Sequence, residues 1–418
     1  MRPLGAAREV EPLRQLHLRH QQENRRGSVS DPAELWYCAL LPLVGARIMQ
    51  RAAAALEQAL MSLQPDLADD ESVGVKSDAA SPAAEKGPEA ARATLLQIGF
   101  GFAAAQSLTV AAELGIADLL AAGPQTIDAL ATATRTDPGA LRRVMRLLAA
   151  HGIFSEEESG CFTQTHLSDA LRADAPSSPR DFLRMIGREP FLAWGRLLDA
   201  VRTGRPSFDL VFGAPRFDWL GQNPEAAALF QAAMVALGGD VVDPIAAAYE
   251  FGDLGVVVDV GGGHGRLLSA ILARYPSVEG ILFDLPGGIA AAEAGVGGPL
   301  PRCKLVAGDF FEAVPEGANA YLMKKVLHDW SDDDAVRILA NCRRAMAPGG
   351  RVLVAETVVP PGNAPDPIKV MDVNMLVVTG GRERTADEFA ALFDRAGLRA
   401  GRVVPTGARV SILEAFAA

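Results

Sequence analysis

The sequence predicts an α/β protein. Its C-terminal part reads as a doubly wound parallel sheet, and a helical, winged-helix-like part precedes it. Three observations predict this. After Phe251, short apolar runs alternate with helical stretches, the rhythm of a parallel sheet with covering helices. Polar residues close each of those runs, at the edge where open α/β sheets bind ligands. Upstream, residues 94–174 read as helices followed by a hairpin.

Taken in order, residues 1–92 differ from the rest. "HLRHQQENRRGSVSDP" is polar, and "DLADDESVGVKSDAASPAAEKGPEAA" has the Ala, Ser, Pro and charge content of a linker. A helix over Ala33–Met61, broken near Pro42, is expected between them. The segment reads as a low-complexity, disordered extension. Residues 93–180 read as a compact helical domain. "GFGFAAAQSLTVAAELGIADLL" supplies buried helices, and "DPGALRRVMRLLAAHG" a helix capped by Asp137 with Pro138 at its first position. Leu141, Val144, Met145 and Leu148 form its apolar stripe. "GIFSEEESGCFTQT" reads as a hairpin. Residues 181–250 are helical and rich in Met, Phe and Trp. Residues 251–418 carry the strands "GVVVDV", "GILFDL", "CKLVAGD", "ANAYLMKKVL" and "GRVLVAET", then a closing antiparallel pair, "RAGRVVP" and "RVSILEAFA".

Composition narrows the function. The net charge of −11 disfavours a protein that coats nucleic acid or an anionic membrane. The four cysteines form no CxxC pair, so neither a zinc knuckle nor a disulfide framework is indicated, and reduced thiols in a cytoplasm fit. No span is expected to be long and apolar enough to cross a bilayer, which takes about 20 residues. A winged helix raises DNA binding, with Arg142, Arg143 and Arg146 against phosphates. The hairpin tip "SEEESG" would repel that backbone.

The strand ends define a candidate site. Gly261 to Gly265 end the first strand, Asp284 the second and Glu356 the fifth. Asp309 follows the third, and Lys324 and His328 the fourth. The glycines let a backbone approach a ligand, and Asp284 is spaced to hold ribose hydroxyls. "GGGHGR" has Arg266 where the dinucleotide fingerprint has its third glycine. Phe310 is either an adenine platform beside Asp309 or ordinary core.

Together, "VVDVGGGHG", "FDLP", "GDFF", "LHDWSDDDA", "PGGRVLVAET" and "GGRERTADEF" resemble the S-adenosylmethionine-dependent O-methyltransferases of the caffeic-acid and acetylserotonin type, from about Leu95 to the C-terminus. The resemblance implies a class I methyltransferase, with a Rossmann-like cofactor domain and a dimerising N-terminal domain. It implies S-adenosylmethionine contacts at Gly261, Gly263, Asp284, Asp309, Phe310 and Lys324. It makes His328 the general base, flanked by Glu356 and Glu383, with Asp329 helping to place the acceptor. The implied partners are a small-molecule hydroxyl acceptor, aromatic or polyketide-like, and a second copy of the chain. No metal, nucleic acid or membrane is implied. "NMLVVTGG" is one residue shorter than in plant members, where it lines the acceptor pocket, so the acceptor does not carry over.

The stretch "VLHDWSDDD" then divides in two. Ser331 is expected to cap a helix and form a capping box with Asp334. Asp332, Asp333 and Asp334 complement the helix dipole by about 0.3–1 kcal/mol each, so the run needs no metal. His328 precedes the cap, at a strand end. A phenol with a pKa of about 10 is mostly protonated at neutral pH, and an imidazole can take its proton during attack. The readings from other classes are a ligand-sensing, DNA-binding winged-helix regulator, and a relative that binds the cofactor but has lost the reaction. Met185, Trp194, Met234, Asn374 and Met375 are candidates for the acceptor pocket or for core.

Overall fold

The computed structural model describes residues 87–238, 241–295 and 298–418. The helix expected over residues 33–61, and Cys38, lie outside them.

The described residues open with α1 (Pro88–Gly99) and α2 (Gly101–Leu114), separated by Phe100. Then come α3 (Ile116–Leu120), β1 (Gln125–Thr126), α4 (Ile127–Thr134), α5 (Pro138–Ala150), β2 (Phe154–Glu156) and β3 (Cys161–Gln164). The three strands form one antiparallel sheet in the order β1-β3-β2. The Asp137 side chain accepts the Ala140 N–H at 2.7 Å, with Pro138 at the first helical position. Leu141, Met145 and Leu148 are buried with Phe154 and Phe162, and Val144 packs alongside. The hairpin also settles the basic face of α5. Glu156 pairs with Arg142 at 3.4 Å and with Arg146 at 3.2 Å, so one carboxylate engages two of the three arginines a phosphate would need.

Two expectations fail at the start of this domain. The first helix opens at Pro88, inside the stretch that composition assigns to a linker, because proline suits a first helical turn. The expectation that no span is long and apolar enough to cross a bilayer also fails, by length and composition alone. Pro88–Leu114 gives 27 residues of mean hydropathy 1.4 in its most apolar window, of which 17% is buried. Leu95, Ile98, Phe100 and Phe102 are exposed along it.

A helical layer follows: α6 (His166–Asp169), α7 (Arg180–Ile186), α8 (Glu189–Trp194), α9 (Leu197–Thr203), α10 (Ser207–Phe212), α11 (Arg216–Gln222), α12 (Pro224–Gly238) and α13 (Val242–Ala248). The Thr109 hydroxyl on α2 donates to Leu183 O on α7, and Gly187 sits so close to Thr109 that a side chain there would overlap it.

The remainder is β4 (Val256–Val260), α14 (Arg266–Arg274), β5 (Glu279–Asp284), α15 (Pro286–Glu293), β6 (Cys303–Ala307), β7 (Ala320–Lys324), α16 (Asp332–Ala345), β8 (Arg351–Glu356), α17 (Pro367–Val378), α18 (Ala386–Arg395), β9 (Leu398–Pro405) and β10 (Ser411–Ala417). The sheet order is β6-β5-β4-β7-β8-β10-β9. The first five strands pair in parallel, while β10 pairs antiparallel with β8 and β9. Alternate residues feed two cores. Val258, Val260, Tyr321 and Met323 meet α16 and α18 on one face. Val257, Ala320 and Leu322 meet α13 and α14 on the other. Both faces are covered, which is why these strands read as nearly continuous apolar runs.

Candidate active site

Parallel strands share a direction, so their polar ends gather at one edge. The glycine turn after β4 is one side of the site. Gly261 and Gly263 have φ of 68° and 57°, a region other residues seldom adopt. Among the described residues nothing lies within 4 Å of where a Gly263 side chain would be, so the backbone there is open to a ligand. The Asp284 carboxylate crosses from β5, accepting the Gly263 N–H at 2.7 Å and the Leu285 N–H at 2.7 Å. Burial raises its pKa. Asp309 accepts the Phe311 N–H at 2.8 Å. The Phe310 ring lies beside Gly261 and meets Trp330 edge-on at 5.8 Å, so it is both core and a wall of the glycine turn. Open backbone at a turn, a carboxylate at the second strand end and a ring at the third suit an adenosine group.

Lys324, at the end of β7, is half-buried, and its desolvation lowers its pKa against the pull of Asp259 and Glu356. Asp259 lies under the turn, pushed up by burial to about 7.

The second half of the site surrounds His328. It lies in a short turn, Leu327–Asp329, just beyond β7. Nδ1 and Glu383 Oε1 are 2.8 Å apart. Nε2 faces Asp329 Oδ2 at 3.8 Å, too far for a hydrogen bond. Glu356 brings a carboxylate oxygen within 4.8 Å of an imidazole nitrogen without a hydrogen bond between them. Its Oε1 accepts the backbone N–H groups of Val326 at 3.0 Å and His328 at 3.4 Å, so it holds the turn and acts on the ring through charge alone. Burial would lower the His328 pKa, but Asp329, Glu356 and Glu383 outweigh it and raise the imidazole to about 9. Burial pushes the Asp329 carboxyl up, with the imidazole opposing. Burial also acts upward on Glu383, but its bond to His328 and the nearby ammonium hold its pKa low.

Three residues that sequence reasoning missed complete this arrangement. Lys325 Nζ lies 3.6 Å from Glu356 and 3.7 Å from Glu383, a cation between two buried carboxylates. Its φ of 54° turns the chain after β7 and gives this position a backbone unlike that of Lys324. Arg384 is fully buried. It donates to Leu327 O at 2.9 Å, Trp330 O at 2.9 Å and Asp332 Oδ1 at 2.8 Å, clamping both ends of the histidine turn. Gly381 lies against His328 O, where any side chain would overlap backbone, and Arg382 donates its N–H to His328 O at 2.9 Å. The "GGRER" run was legible as a motif, but its packing against the base was not.

The capping box is only half formed. Ser331 Oγ accepts the Asp334 N–H at 3.2 Å and donates to the Asp334 carboxylate at 2.8 Å. The short aspartate side chain is thereby held by the hydroxyl, and the backbone N–H of Ser331 is not its partner.

The pocket candidates separate. Trp194 Nε1 donates to Asn374 Oδ1 at 3.1 Å, joining α8 to α17. Met185 and Met375 are buried, and Met234 is exposed.

Residues 96–174 match an O-methyltransferase dimerisation domain, and residues 194–399 an O-methyltransferase domain. A phenazine O-methyltransferase of Lysobacter antibioticus is 44% identical over 326 residues, covering 77% of this chain and 95% of that protein. The structure of a mitomycin 7-O-methyltransferase superposes with a TM-score of 0.75 at 39% identity, covering 79% of this chain and 98% of that one. Human N-acetylserotonin methyltransferase, solved with S-adenosylmethionine, gives a TM-score of 0.71 at 28% identity, covering 81% and 99%. The chain belongs to the S-adenosylmethionine-dependent O-methyltransferase family.

Proposed function

We propose that this enzyme methylates a hydroxyl on a small, flat, aromatic or polyketide-like acceptor, with His328 as the general base. The observation that carries this is the imidazole itself. One nitrogen is bound to Glu383, and the other has no hydrogen-bond partner among the described residues.

When bound, S-adenosylmethionine supplies an electrophilic methyl group on a sulfonium that carries its own leaving group. Gly261, Gly263, Asp284, Asp309, Phe310 and Lys324 are the residues that would hold it. The remaining work falls to the chain. Glu383 fixes the neutral imidazole with its proton on Nδ1, leaving Nε2 to take the acceptor's hydroxyl proton. Asp329, Glu356 and Glu383 then stabilise the imidazolium, and Asp329 borders the space beside Nε2. A base so placed contributes typically about 10²–10⁴-fold.

His328, Glu356 and Glu383 also offer ligand atoms within 4.8 Å of one another, a spacing a metal ion could use. Lys325 already sets a cation between the two carboxylates, a like charge that a metal ion would have to approach. The proposal is therefore metal-independent catalysis.

The fused-ring compounds named for two relatives support an aromatic acceptor. We further assign residues 93–180 to pairing of two copies, 181–250 to the acceptor pocket and 251–418 to the cofactor, in a cytoplasmic enzyme. The exposed apolar face of α1 and α2, within a region that matches a dimerisation domain, supports a homodimer over a membrane span.

Turnover of a panel of phenols, naphthols and hydroxyphenazines, with and without EDTA, tests the reading. Methyl transfer to at least one acceptor, unchanged by chelator, is expected. Cofactor binding with no transfer to any acceptor, or activity lost in EDTA and restored by magnesium, would contradict it.

A further inference from the structure

Arg216 opens α11, after Pro215. It is 5% exposed, and among the described residues its Nη1 is buried with no hydrogen-bond partner. Its guanidinium carbon lies 5.3 Å from the Phe208 ring centre and 5.4 Å from that of Phe230. Those rings hold the plane without using its N–H donors. A buried guanidinium with an unused donor is costly unless a partner arrives.

Its position says where the partner would come from. Phe217, the next residue, packs on Trp330 at 5.7 Å and on Phe230 at 6.2 Å, which sets the start of α11 against the turn that carries His328. Glu189 and Asp329 act on Arg216 through charge, and neither is hydrogen-bonded to it. Asp329 is also the residue facing Nε2, the nitrogen not bound by Glu383. Arg216 therefore stands on the acceptor side of the base. Burial lowers its pKa to about 10, so it remains a cation at neutral pH.

Resting on the reading that the enzyme methylates an aromatic hydroxyl, we infer that Arg216 binds a carboxylate on the acceptor, placed beside the hydroxyl that is methylated. The planar fork of a guanidinium suits a carboxylate, and an ammonium does not reproduce it. A carboxylate next to the hydroxyl would let Arg216 fix the ring while His328 reaches the oxygen. Arg216 is thus a residue of acceptor specificity, and it takes no proton.

The test uses 1-hydroxy-2-naphthoate and 1-naphthol, which differ only by the carboxylate. Wild-type enzyme, Arg216→Lys and Arg216→Met are compared in turnover, and in calorimetric binding with S-adenosylhomocysteine present. Wild type is expected to favour the naphthoate by roughly 10–100-fold in kcat/KM, the range for a charged hydrogen bond. Arg216→Met should erase that preference while leaving naphthol within about threefold, and Arg216→Lys should restore it only in part. Equal losses on both acceptors, losses that follow a fall in Tm, or a wild type that neither binds nor turns over the naphthoate would overturn the inference. Naphthoate binding that depends on Arg216, without turnover of either compound, would uphold it and count against the reaction proposed above.

Discussion

Asp332, Asp333 and Asp334 lie at the surface, in the first turn of α16. Asp329, Glu356 and Glu383 lie inside, around one imidazole. The residue chemistry is nearly the same, but the neighbours differ. The outer group meets a helix terminus and arginines: Asp333 pairs with Arg395 at 2.5 Å, and Asp334 with Arg337 at 3.3 Å. The inner group meets Lys325, His328 and the charge of Arg216. Water and the helix dipole satisfy the first set, so those carboxylates have no unfilled need. In the second set Glu356 and Glu383 are buried and Asp329 is half-buried, and their charge is expressed in how tightly the imidazole holds a proton. Asp332 belongs to both, because its partner Arg384 is fully buried and clamps the histidine turn.

Substitutions can break this comparison. His328→Ala should cost about 10²-fold or more in turnover while leaving cofactor binding nearly intact, and less with acidic phenols already ionised at the assay pH. Steady-state kinetics with calorimetry checks both parts. Lys325→Met removes the cation between Glu356 and Glu383. Losing one partner of a buried pair costs about 3–5 kcal/mol, and Lys325 is 27% exposed, so a loss of about 2–3 kcal/mol in denaturant unfolding is expected. Asp332→Asn should cost about 1–3 kcal/mol, because it leaves a buried guanidinium with a weaker partner. Asp333→Asn should cost less than about 0.5 kcal/mol, since that carboxylate is 89% exposed. Equal effects at positions 332 and 333 would show that the outer carboxylates form a single class.

How legible each region was follows the same physics. Strand ends could be read because a buried parallel strand is a continuous apolar run, so Asp284, Asp309 and Glu356 stand out as its polar terminus. His328 and Glu383 could be read because they sit in recognisable motifs. Lys325 was missed beside Lys324 because strand alternation ends at residue 324, and only the left-handed turn shows where the next side chain goes. Arg384 was missed because a charged residue next to a charged motif looks solvated in a sequence; its burial depends on carbonyls from residues 327 and 330. The start of the first helix was missed because alanine and proline are shared by linkers and helix starts.

The central claim is that inner carboxylates tune His328 to take the proton. Its pKa is raised from 6.5 to about 9, so the protonated ring stabilises the fold fully below pH 6.5, and that contribution is lost as pH rises through about 9. Catalysis has the opposite demand, since only the neutral ring can accept a proton. The most direct measurement is kcat/KM against pH for wild type, Glu383→Gln and His328→Ala at saturating S-adenosylmethionine, with an acceptor that does not itself titrate between pH 6 and 9. The account predicts a wild-type rate that climbs towards pH 9. It also predicts a rise displaced to lower pH in Glu383→Gln, and a low rate without that rise in His328→Ala. The same rise in all three proteins would contradict it.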